Sequence, residues 1–165
     1  MTCSWPTFRQ ARPADAGRCF EIESAAYEGD EAATLAKIRT RILQYPQGFL
    51  VMELQGEVIG FINSGCAHAV AMADEAFKEL IGHDPAAPHV VIMSVAIDPR
   101  HQGRGHASRM MRTFVAQMRQ AGKRDIHLMC KERHVALYAR LGYRYVQPSA
   151  SKHGGMAWHE MVMAL

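Results

Sequence analysis

Six consecutive residues, Gln102-Gly103-Arg104-Gly105-His106-Ala107, carry the clearest chemical signal in the chain. Glycine lets a backbone approach a ligand with no Cβ in the way, and the first N–H groups of a helix point outward, toward an anion. A glycine turn that leaves a strand and opens a helix is therefore a cradle for a pyrophosphate. The sequence has no Gly-Lys-Ser/Thr of the P-loop kind and lacks the three spaced glycines of the dinucleotide fingerprint. A second feature lies nearer the N-terminus, where Phe20, Glu23 and Tyr27 recur at i, i+3 and i+7. On a helix that spacing puts a carboxylate in one stripe with two aromatics, where it can accept a proton. The same pattern also suits a surface carboxylate bordering an apolar face.

The elements that must position these groups are legible from periodicity and turn chemistry. A short extended start over 7–10 leads to a helix that begins near Pro13 and carries Glu23. Leu35, Ile38, Ile42 and Leu43 at helical spacing predict a second helix over 34–44. Gln55-Gly56 joins strands 49–54 and 57–66 in a hairpin. The stretch 67–89 is polar and alanine-rich; it predicts a short helix over 71–80 and a Pro85/Pro88 loop near the surface, over a cleft. The β-branched run 90–97 reads as the middle strand and leads straight into the glycine turn. A helix over 107–121, a strand over 126–130, a short helix over 135–141 and strands over 143–146 and 157–165 complete the chain. About seven strands and four helices in mixed order make this an α/β protein with a mixed, mostly antiparallel sheet.

Composition narrows the function classes. At 165 residues, 48% hydrophobic and 21% charged, the chain suits one domain with a packed interior and excludes disordered or collagen-like classes. The 19 Lys and Arg against 16 Asp and Glu are dispersed, so nucleic-acid binding has no strong support. No apolar run is long enough to span a bilayer, and the first ten residues do not read as a secretory signal, so a soluble cytoplasmic protein is expected. Cys3, Cys19, Cys66 and Cys130 are scattered without a CxxC pair, which suggests neither a zinc site nor a disulfide framework.

The glycine turn resembles the loop of the GNAT family of acetyl-CoA-dependent N-acetyltransferases, Gln/Arg-x-x-Gly-x-Gly/Ala, with Gln102, Gly105 and Ala107 at its fixed positions. Blocks 95–99 and 136–143 look like further family segments. Phe20-Glu21-Ile22-Glu23, Leu128-Met129-Cys130 and the closing block 154–161 resemble the arylalkylamine (serotonin) N-acetyltransferase branch. The resemblance implies a GNAT fold, acetyl-CoA as acyl donor, no metal, a monomer or homodimer, and a primary amine as acceptor. It implies that Gly103, Arg104, Gly105, His106, Ala107 and Ser108 hold the pyrophosphate, that Val95, Ala96 and Ile97 pair with the pantetheine arm, and that Tyr138 stands beside the coenzyme sulfur as a general acid.

The branch's two catalytic histidines align with Val91 and Met93, which accept no proton. Glu23 is the first substitute as general base and His89, two residues before Val91, the second; His153 and His159 are weaker options. Tyr27, Met129, Met156 and Trp158 match apolar substrate positions of the branch and point to an amine with an aromatic or apolar body, although residues 29–34 lack the proline of the branch's substrate loop. Two alternatives stay open: a protein or peptide N-acetyltransferase, and a non-catalytic acyl-CoA sensor that kept the cradle and lost the base.

Overall fold

A computed structural model describes residues 4–165, so Cys3 lies outside the described residues. Its strands are β1 (Thr7–Gln10), β2 (Phe49–Leu54), β3 (Glu57–Ala67), β4 (His89–Ile97), β5 (Asp125–Cys130), β6 (Arg144–Pro148) and β7 (His159–Ala164). Its helices are α1 (Ala16–Ala26), α2 (Leu35–Gln44), α3 (His106–Gln120) and α4 (Glu132–Arg140). The strands form one sheet in the order β1-β2-β3-β4-β5-β7-β6, which puts β4 in the middle as its β-branched run predicts. Every neighbouring pair is antiparallel except β4 and β5.

Helices α1 and α2 cover one face through Cys19, Ile22, Ile38 and Ile42, which pack on Phe49, Val51, Phe61 and Ala96. Helix α3 covers the other face with Met110, Met111, Phe114, Val115 and Met118, its whole apolar stripe. Local chemistry starts and stops these helices. Asp15 accepts the Arg12 N–H at 2.7 Å just before α1 and takes the Arg9 guanidinium at 2.7 and 2.9 Å. Thr34 caps α2 through the Lys37 N–H.

The segment before β4 departs from expectation. In place of a helix over 71–80 it has a 3₁₀ turn over Glu75–Glu79, started by an Asp74 side-chain cap and ended at Leu80 with φ of 61°. Its alanines supply helix propensity but almost no apolar face to bury, so tertiary packing of Phe77 decides the local path. Phe77 packs with Ala67 and Val91, and the segment lies against the sheet.

Two irregularities in β4 shape the site. Its register against β3 slips between Asn63/Ser64, so Asn63 opposes Ser94 while Ser64 opposes Ile92, and Met93 is the extra residue of a bulge. A bulge bends its strand and reverses the alternation of side chains beyond it. The parallel pairing with β5 accordingly ends at Val91↔His127, and the two strands splay apart from there.

Candidate active site

The cradle stands at the C-terminal end of β4, as the sequence predicts. Gly103 and Gly105 have φ of 77° and 76°, and an added Cβ at either would meet nothing within 4 Å, so open space lies over the turn. Both need the left-handed region that glycine alone enters freely. Gly105 is the N-cap residue of α3, whose first N–H groups have no intrahelical acceptor. Among the described residues the N–H groups of Gly103, Arg104 and Gly105 donate to no carbonyl or side chain. The Gln102 side chain donates to the Ile97 carbonyl at 3.1 Å and fixes the turn to the strand end. His106 is buried, its Nδ1 has no partner, and burial lowers its affinity for a proton.

The splay opens a cleft of about 440 Å³ that runs from the cradle between β4 and α4. Val95, Ala96, Ile97, Gln102 and Ala107 form one wall, and Met129, Cys130, Leu137 and Tyr138 the other. The backbone of Val95 faces this gap and already has a partner: the Tyr27 hydroxyl accepts from its N–H at 3.1 Å and donates to its carbonyl at 2.9 Å. Tyr138 packs edge-on against Tyr143, with ring centroids 5.9 Å apart, and burial pushes its phenol well above the usual range. Its proton therefore stays in place at neutral pH.

A smaller cavity of about 60 Å³ adjoins the cleft, sharing Tyr27, Glu31, Met129 and Trp158 with it. Glu23, Met72, Phe77, Val91, Met93 and His153 complete much of its wall. The Glu23 carboxylate is 1% exposed. Its Oε1 accepts from the Ser94 hydroxyl at 2.8 Å and the Ala33 N–H at 3.1 Å, whereas Oε2 is buried without a partner. Burial raises the Glu23 pKa, against the opposing pull of Ser94, Ala33 and the nearby Arg41. A carboxylate held this way takes a proton more readily than one in water.

Three connections close the site from above. Lys131 at the start of α4 pairs with the buried Glu31 carboxylate at 2.6 Å. The His153 ring contacts the Glu31 carbonyl at 2.9 Å, and the Trp158 indole N–H donates to the His153 carbonyl at 2.8 Å. Gly154 sits against Glu31, where any Cβ would come within 2.9 Å of the Glu31 side chain.

The structure therefore brings Glu23, Tyr27, Met129, Trp158 and Tyr138 around two adjoining cavities, with Val95, Ala96, Ile97, Gln102 and Ala107 on the cleft. Two residues singled out in the sequence fall elsewhere. His89 lines neither cavity, because its ring turns to Asp125 at 2.7 Å. Met156 is 38% exposed, directed outward by the turn at Gly154 and Gly155, both at positive φ. His159 contacts the Tyr145 hydroxyl on the β6 side, whereas His153, a weaker candidate in sequence, lines the smaller cavity. Ser94, Glu31, Arg41 and Lys131 escaped sequence reasoning. The signal for Ser94 was its place on the middle strand, but strict alternation from Val91 and Met93 puts it on the wrong face; the bulge at Met93 turns it to Glu23.

The glycine turn with its unpaired N–H groups, the splayed central strand and the tyrosine of the facing helix thus lie along one cleft. The family model described as "Acetyltransferase (GNAT) family" matches residues 15–143, and the chain belongs to that family. It is an acetyltransferase enzyme of the GNAT type. The loading GNATL domain of CurA from Lyngbya majuscula is similar in fold, with a TM-score of 0.85 at 15% identity, over 97% of this chain and 98% of that one. A GNAT-like decarboxylase, GphF, in complex with isobutyryl-CoA superimposes with a TM-score of 0.83 at 16% identity, over 96% and 98% of the two chains. The putative acetyltransferase yncA from Salmonella typhimurium, with acetyl-CoA, gives a TM-score of 0.67 at 24% identity, covering 98% and 95%. No curated protein matches this chain in sequence. Among the described residues no helix is long and apolar enough to cross a membrane.

Proposed function

We propose that this enzyme transfers an acetyl group from acetyl-CoA directly to the primary amine of a small apolar or aromatic molecule. The observation that carries the reading is the buried, unpartnered Glu23 oxygen in a cavity that opens onto the cleft beside Tyr138. An ammonium is no nucleophile until it loses a proton, and a carboxylate of raised pKa is suited to remove it. The free N–H groups of the glycine turn fit a diphosphate, and acetyl-CoA bound there supplies an activated thioester at the far end of the splay.

The chain's own groups then divide the work. Val95 and Ile97 offer amide groups along the open edge of β4, where the pantetheine arm pairs once the Tyr27 hydroxyl yields Val95. Glu23 takes the amine proton. Tyr138 donates a hydrogen bond to the departing sulfur; with its pKa raised it acts as a positioned donor more than as a strong acid. Met93, Met129, Phe77 and Trp158 supply the apolar wall for the body of the amine. The cavity lies under the segment carrying Phe77 and is narrow, which favours a small amine over a peptide laid in an open groove. The resemblance of the closing block to the arylalkylamine branch supports an aromatic body. The three described cysteines are free and buried, which suits a reducing compartment, and the reading puts the enzyme in the cytoplasm.

The test is acetyl-CoA turnover across arylalkylamines, polyamines, amino acids and peptides, with product identified by mass. Acetylated small amines are expected. Acyl-CoA consumed without transfer to any amine, or acylation confined to peptides, would overturn the assignment, and coenzyme binding without turnover would favour the sensor.

A further inference from the structure

Away from both cavities, the fold gathers three metal-ligating side chains from positions far apart in sequence. His89 opens β4; Asp125 and His127 lie at the start of β5, and His89↔Asp125 and Val91↔His127 are register partners in the one parallel pair. The three side chains therefore project from the same face of the sheet. Nδ1 of His89 lies 2.7 Å, and Nε2 of His127 3.0 Å, from the same Asp125 Oδ1. All three ligand atoms fall within 4.8 Å of one another. The side chains are 21%, 17% and 23% exposed for His89, Asp125 and His127, held in place yet reachable from solvent.

We propose that His89, Asp125 and His127 bind one divalent transition-metal ion of the Zn²⁺ class, which pins β4 to β5 at the closed end of the splay.

Two imidazoles and a carboxylate are a donor set that such ions prefer, with the remaining coordination position left to water. At metal–ligand bonds near 2.0–2.1 Å, tetrahedral donors sit about 3.3 Å apart. The two nitrogen–oxygen spacings need to open by only a few tenths of an ångström to reach that value, and all three atoms already lie within 4.8 Å of one another. Among the described residues no Lys or Arg side chain pairs with Asp125, so an incoming cation displaces no ion pair other than the imidazole contacts. Glu160 of β7, paired with Met129 on the same face, adds negative charge toward His127.

The position gives the ion a mechanical role. Three residue pairs make up the whole strand pairing of β4 with β5, and so the whole ladder between the β1–β4 and β5–β7 parts of the sheet. The ligands sit on that short contact, so an ion there joins the two halves where the backbone does so least. The site lies outside both cavities and is independent of the reaction assigned above.

The experiment is titration of chelator-stripped, full-length protein with Zn²⁺ by calorimetry, with Co²⁺ absorption as a second probe. One ion per chain is expected, with Kd on the order of 1 µM, weaker than complete four-ligand structural sites. Saturating Zn²⁺ should raise Tm by roughly 5 °C. Asp125→Asn keeps the size of the side chain and should fold, yet weaken binding at least about tenfold; His127→Gln should do the same. Binding without stoichiometry, or affinity unchanged in both variants, would overturn the proposal and leave the triad as a hydrogen-bonded cluster only.

Discussion

Tyr138 and Glu23 face different cavities, and their substitution separates two steps. Tyr138→Phe removes a hydroxyl and little volume, and the glycine turn proposed to hold the coenzyme lies elsewhere. We expect kcat to fall about 100-fold with coenzyme A affinity nearly unchanged, read by steady-state kinetics beside calorimetry. A variant as fast as the parent would take Tyr138 out of the chemistry. Glu23→Gln keeps both hydrogen bonds to Oε1 and removes the proton acceptor. The parent-to-variant rate ratio should be largest where the amine is mostly ammonium and shrink as pH approaches the amine pKa. A ratio flat with pH would assign deprotonation to another group, of which His153 on the same cavity wall is the next to test.

Strand β4 positions most of the site, and its open edge is already engaged by α1. The Tyr27 hydroxyl makes with Val95 both hydrogen bonds that an extended ligand would make there. If the pantetheine arm pairs with Val95 as proposed, coenzyme binding breaks them, and the C-terminal end of α1 and the arm compete for one stretch of backbone. Tyr27→Phe removes both hydrogen bonds and should tighten coenzyme A binding by roughly tenfold, while lowering the stability of the free protein by about 1–2 kcal/mol. Calorimetric titration and thermal melts measure the two effects. Weaker coenzyme binding in the variant would mean that the hydroxyl contacts the coenzyme and does not block it. Glu31 and Lys131 act at the same scale, tying the α1–α2 connection to the start of α4 across the top of the cleft.

At the scale of the whole molecule, the site lowers stability. Glu23 is buried with one oxygen unpartnered, and its folded-state pKa lies above the ordinary value of 4.5. A raised folded value means that the protonated form folds better: the cost is absent below the unfolded pKa and grows as pH rises through the folded one. Glu23→Gln should therefore raise Tm near neutral pH, and the gain should vanish toward pH 4. Thermal melts across that range check it; a variant less stable near neutral pH, with the deficit vanishing toward pH 4, would show that the Arg41 field outweighs desolvation. A gain in stability on loss of the carboxylate proposed as the base is the familiar trade between stability and function.

Much of this was legible in the chain. Spacing and turn chemistry determined the four helices, the seven strands, the middle place of β4 and the glycine turn, because helix faces, hairpins and left-handed glycines are decided by residues close in sequence. Glu23 was visible as a carboxylate in an aromatic stripe, but its burial was not, since that depends on Ala33 and Ser94 arriving from other elements. The segment before β4 misled for the same reason: its alanines favour helix, and the packing of Phe77 prevailed. Only the tertiary structure decided that a bulge at Met93 turns Ser94 to Glu23, that Tyr27 occupies the edge of Val95, and that His89 meets Asp125 and His127 instead of the acceptor cavity. Register and splay arise where strands distant in sequence meet, and a one-residue slip there sends a side chain to the opposite face.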